Sequence, residues 1–95
     1  MSQDDIIRLQ AMIQERHQCP AKYRRAVPVR EPLGEQSFWE GEVAVFWLTG
    51  HAKAMRCFAW FEQRSDEEHV VTVLEIPPVI GPAAAVRNAI NHGKA

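Results

Sequence analysis

Three kinds of hydrophobic spacing follow one another along this chain, and each predicts a different element. In "SQDDIIRLQAMIQERHQCP", residues 2–20, Ile6, Leu9, Met12 and Ile13 recur with helical spacing while Arg8, Gln14 and Glu15 face away. Ser2, followed three residues on by Asp5, makes a capping pattern. Asp4 and Asp5 also place negative charge at the positive end of the helix dipole. Pro20 disfavours helical geometry at Cys19, so the helix is predicted to stop near Gln18.

After Gly41 the spacing changes to every second residue. Val43, Val45 and Trp47 point one way, and Ala44, Phe46 and Leu48 the other. "TGHAK" turns the chain, with Gly50 free to take a positive φ. The return strand sets Ala54, Arg56, Phe58 and Trp60 on one face, with Met55, Cys57, Ala59 and Phe61 on the other. Beyond the polar connection "EQRSDEE", the segment "HVVTVLEI" reads as a third strand, ended by Pro77 and Pro78. Helical spacing returns in "GPAAAVRNAINHG", with Pro82 in the first turn, Val86 and Ile90 as the core stripe and Gly93 as C-terminal cap. Residues 20–41, broken by Pro20, Pro28, Pro32, Gly34 and Gly41, are predicted to be a loop or irregular edge, with "AVPV" as a short strand at most.

The order is α-β-β-β-α. It predicts one α+β domain over residues 1–95, with an antiparallel sheet of three to four strands and two helices. A sheet wet on one face carries apolar residues at alternate positions only, whereas these strands are apolar at nearly every position. Residues 38–61 also hold every tryptophan and phenylalanine of the chain. One helix on each face would cover such a sheet; otherwise both helices share one face and the other meets a partner. The density of aromatic rings favours the second arrangement. The chain is therefore expected to form a twofold homodimer through a face bearing Trp47, Arg56, Phe58 and Trp60. In the competing arrangement residues 20–41 fold back over that face, with Leu33, Phe38 and Trp39 as a lid.

The formal net charge of −1 gives no general attraction for a phosphate backbone. Charge is nonetheless unevenly placed. Residues 16–30 hold Arg16, Lys22, Arg24, Arg25 and Arg30 and no acid, while residues 62–75 hold Glu62, Asp66, Glu67, Glu68 and Glu75 against Arg64 alone. Both stretches are expected to be solvated surface, or to pair across a dimer. Lys22, Arg24 and Arg25 form a candidate basic patch and the one sequence argument for nucleic acid, which is not the expected partner. No cationic, apolar leader opens the chain, and its longest apolar run, Val43–Leu48, is far too short to span a membrane. A cytoplasmic protein without membrane contact is expected, with Cys19 and Cys57 reduced.

Candidate chemistry is sparse. His17 and Cys19 are close enough in sequence to share a metal with Cys57 or His69, but no second short-spaced ligand pair exists, so neither metal nor cofactor is expected. His51 sits at a hairpin tip, where functional residues often ride. Cys57 alternates with Met55 and Ala59 and reads as a small core residue. Arg56 interrupts an apolar face on Trp47's side, either stacking on an indole or pairing with an anion. Glu40 and Glu42 flank Gly41 and are expected to face solvent. No nucleophile elbow, phosphate loop, zinc-protease or dinucleotide motif is present. The element order resembles that of the double-stranded-RNA-binding domain, a family that grips phosphates with lysines at the start of its last helix. The matching stretch here, "GPAAAVRNA", has Arg87 as its only cation, so the resemblance implies neither that activity nor those sites. The expected function is a non-enzymatic ligand- or protein-binding module acting as a homodimer through Trp47, Arg56, Phe58, Trp60 and His51. The alternatives are a small enzyme with a site at the subunit boundary, and then nucleic-acid binding through residues 16–30.

Overall fold

Four antiparallel strands make the sheet in the computed structural model, which describes residues 1–93, with side chains through Asn91. Along the chain come α1 (Gln3–His17), β1 (Ala21–Pro32), β2 (Phe38–Leu48), β3 (Arg56–Arg64), β4 (Glu67–Leu74) and α2 (Pro82–Gly93), and the sheet order is β1-β2-β3-β4. The α+β class and the antiparallel sheet are as predicted. The difference lies in residues 20–41, which supply a full strand and the start of the next. Pro28 and Pro32 are compatible with that strand because β1 is at the sheet edge, where outward N–H groups have no strand to bond. With this strand the order becomes α-β-β-β-β-α, and the likeness to the double-stranded-RNA-binding domain in element order is lost.

The helices cover one face each, which corrects the expectation that both lie on one side. Leu9 and Ile13 of α1 pack on Ala44, Phe46, Leu48, Cys57 and Ala59. Ala85 and Val86 of α2 pack on Val29, Val43, Val45, Phe58 and Trp60. The alternation predicted for β2, and for β3 from Arg56 on, thus holds, and both faces are core; Ala54, expected on the face of Arg56, lies in the turn before β3 and packs on the α1 side instead. Phe58 and Trp60 are 0% and 1% exposed, so neither is free to meet a partner. Burying each such ring contributes on the order of 2 kcal/mol or more. The small Ala85 is fully buried at that contact. Of the three residues expected to form a lid, only Trp39 packs inward, its ring edge-on to Trp60 at 5.7 Å; Leu33 and Phe38 stay exposed by the β1–β2 turn.

Local signals explain the ends of α1. Ser2 Oγ accepts from the Asp5 N–H, and Asp5 accepts in return from the Ser2 N–H. Gln18 closes the helix in the left-handed region, at φ 55°. The same helix reaches both sheet edges. Gln10 donates to the Ala21 carbonyl and Gln14 accepts from the Ala21 N–H on β1, while Arg16 donates to the Val70 carbonyl on β4. Edge groups that would otherwise template another strand are thereby occupied.

The ladder is uneven. β1 and β2 share eleven register pairs and β3 and β4 eight, but β2 and β3 share only four, from Ala44↔Ala59 to Trp47↔Arg56. Beyond Ala44 the two hairpins part, and Trp39 against Trp60 bridges the gap on the α2 side.

Candidate functional site

β1 carries an extra residue, and that irregularity shapes the surface. The register shifts between Tyr23 and Arg25, so Lys22 lies opposite Trp47 and Arg25 opposite Val45. Strict alternation would put residues 22 and 25 on opposite faces. The bulge turns Arg25 onto the same face as Lys22, which is the face of α2. β2 and β3 then continue the row, since Trp47 lies opposite Arg56. The Arg56 carbonyl accepts from the Glu75 N–H, 2.9 Å away, just past β4. Lys22, Trp47, Arg56 and Glu75 thus form one line across the sheet.

α2 leaves this corner open. The helix packs on β1 and β4, and Arg87 donates to the buried Glu31 at the far end of β1, 3.1 Å away. The sheet near Ala21 and Leu48 therefore lacks cover on that side. Trp47 is 39% exposed, and Lys22, Arg24 and Arg25 are exposed. Among the described residues, no carboxylate pairs with any of these three cations. Arg56 differs. Its Nε donates to Glu75 Oε2 at 2.9 Å and its Nη2 to the same oxygen. That hydrogen bond, with the carboxylate's charge, raises the guanidinium pKa above its usual value, against a smaller opposing effect of burial. The guanidinium also lies 5.4 Å from the Phe58 ring centroid and 6.0 Å from that of Trp47. Arg56 is thus a held, neutralised member of the row, while Lys22 and Arg25 keep their charge available.

Charge is segregated along the strands. The end that begins β1 and ends β2 carries Arg16, Lys22, Arg24, Arg25, Lys53 and Arg56, against Glu15 and Glu75. The other end gathers Asp4, Asp5, Glu31, Glu35, Glu40, Glu42, Glu62, Asp66, Glu67 and Glu68, against Arg8, Arg30, Arg64 and Arg87. A nearly neutral chain is therefore positive at one end and negative at the other.

His51 has a structural task. Its Nδ1 accepts from the Lys53 and Ala54 N–H groups, both at 3.0 Å, and so ties the β2–β3 turn. Its ring stands edge-on to His17, centroids 6.3 Å apart. His17 bonds Thr72 Oγ1 at 3.1 Å, and burial, then the charges of His51 and Arg16, lower its pKa. Burial pushes the Cys57 thiol up to about 12, far from a reactive thiolate. Among the described residues, no three of His, Cys, Asp and Glu converge to hold a metal. Glu40 pairs with Arg30, and Glu42 accepts from the Met1 amine. The shallow depression of about 420 Å³ beside them, lined by Pro28, Val29, Arg30, Glu40, Gly41 and Glu42, presents charges that are already matched.

Of the residues singled out from sequence, Trp47, Arg56, Lys22 and Arg25 come together; Phe58 lies beneath α2 next to them, Trp60 deeper, and His51 in the adjoining turn. Glu75, expected only as part of the solvated acidic stretch 62–75, is the partner of Arg56 that sequence reasoning missed, although it directly follows β4, with which Arg56's strand pairs. Compared with known proteins, the chain matches no family model, no curated protein and no solved structure.

Proposed function

We propose that the protein is a non-enzymatic binding module that takes an anionic partner on the open corner of the α2 face. Trp47 is its apolar anchor, and Lys22, Arg24 and Arg25 supply the opposite charge. The observation that carries this reading is the bulge, which sets Lys22 and Arg25 on the face of a half-exposed tryptophan with no carboxylate against them. Exposed tryptophans flanked by cations are common anchors of recognition surfaces. Arg56, held by Glu75, keeps the row rigid. Thermal shift against polyglutamate, heparin and homopolymeric oligonucleotides tests it, since a ligand of the folded state raises stability with its concentration. Stabilisation by at least one polyanion, lost in Lys22→Ala/Arg24→Ala/Arg25→Ala, is the expected result. No stabilisation by any of them refutes the reading.

Self-association is the second reading, and the same corner favours it. Met55 and Ile80 are 68% and 75% exposed, and Ile76 is exposed too, in the segments bordering the row. The acidic end of one copy is complementary to the basic end of another, as an antiparallel twofold pair requires. Sedimentation at low and high salt decides it: a dimer that dissociates as salt rises is the expected signature. An enzyme working through His51 or Arg56 has less support, because both side chains are occupied by partners within the chain.

A further inference from the structure

The partner's chemistry can be narrowed further, on the basis of the binding module proposed above. We infer that the open corner binds single-stranded nucleic acid, with an unpaired base stacked on Trp47 and the flanking phosphates met by Lys22, Arg24 and Arg25. The layout of the corner favours this occupant over an acidic polypeptide. The indole sits in the middle of a cross-strand row, between Lys22 and Arg56, rather than beside the charges. An aromatic face flanked by cations suits a ligand that alternates planar rings with anionic links, as single strands do.

Two further points agree. A duplex keeps the faces of its bases stacked on one another and offers only base edges and backbone, so it gains little from the ring of Trp47. The acidic far end of the molecule repels a polyanion, which restricts contact to the basic end and limits the number of phosphates engaged. Three phosphate contacts imply a log–log salt slope of about −2 for a single strand. Net charge gave no sign of this, because it sums over two opposed ends.

The test is fluorescence anisotropy with labelled (dT)12 and (rU)12, a duplex of equal length, and polyglutamate as competitor, on the whole protein. The expected result is binding to both single strands, weaker binding to the duplex, and a salt slope near −2. Trp47→Ala is expected to weaken binding by between about fivefold and a hundredfold, the range that one lost base stack spans. Trp47→Phe, which keeps an aromatic face, is expected to restore most of it. Lys22→Ala/Arg24→Ala/Arg25→Ala is expected to flatten the salt slope. Because these residues are exposed, near-wild-type melting of each variant separates lost binding from lost folding. Duplex binding equal to single-strand binding overturns the inference, as does unchanged affinity in Trp47→Ala. If only polyglutamate binds, through the same residues, the anionic-partner module stands and the nucleic-acid inference falls; if nothing binds, both fall.

Discussion

Trp47 and Trp60 lie on the same face of neighbouring strands, but α2 divides their roles, and replacing each by alanine measures that division. Trp60 is 1% exposed and packs edge-on against Trp39. Removing a buried tryptophan costs about 3–5 kcal/mol, including the cavity it leaves. With a urea dependence of about 2 kcal/mol per molar, that is a loss of roughly 2 M in unfolding midpoint. Trp47 is 39% exposed, and its alanine variant is expected to stay within about 1 kcal/mol of the parent. A third variant refines the comparison. The Trp60 Nε1–H is buried and meets no acceptor, and such a donor costs about 1–3 kcal/mol. Trp60→Phe keeps a ring and removes that donor, so it is expected to stay within about 1.5 kcal/mol of the parent, the lost ring area being roughly offset. Urea unfolding followed by far-ultraviolet circular dichroism reads all three without relying on tryptophan emission. Equal midpoints for the two alanine variants, or a larger loss for Trp47→Ala, would refute the placement of α2 over Trp60.

Acid should loosen the fold through His17. Its pKa is lowered in the folded state, so the unfolded chain binds more protons below about pH 6.5 and stability falls as pH drops through that range. His17→Gln is expected to reduce the difference between urea midpoints at pH 7.5 and pH 5.0; an unchanged difference counts against it. With its thiol raised to about 12 and its side chain buried, Cys57 should resist a thiol reagent at pH 8 until denaturant is added, while half-buried Cys19 reacts in the folded protein. Two equally fast thiols would contradict this. Gly50 has φ +76°, so Gly50→Ala is expected to cost about 1 kcal/mol; a variant as stable as the parent in urea would place the turn's strain elsewhere.

What the sequence disclosed and what it hid have separate physical causes. α1 and the β2–β3 hairpin were legible because period, caps and turn residues agree there: Ser2 with Asp5, Leu9 with Ile13, Gly50 between two alternating runs. β1 was obscured by the features that suit it to an edge, since Pro28, Pro32 and its row of cations are what an exposed strand uses against pairing. The choice between one and two helices per face was undecidable by pattern, because Ala44 and Val45 look equally apolar whichever helix covers them. The corner's key event, the bulge at Tyr23–Arg25, contains no glycine and leaves no trace in composition. Sequence therefore named Lys22, Arg25, Trp47 and Arg56 in two separate groups, and only the register merged them. Glu75 stands nineteen positions from Arg56, beyond any local rule.

The narrow ladder between β2 and β3 has a consequence for how the molecule stays in one piece. With only four register pairs there, the sheet is two hairpins that could come apart. Each helix, however, reaches over to the other half: α1, from the first half, packs on β3 and β4, and α2, from the second, packs on β1. The two halves therefore interlock like clasped hands. A backbone cut in the Thr49–Met55 turn should leave fragments that still hold together without a covalent link, whereas loss of either helix should release its opposite hairpin.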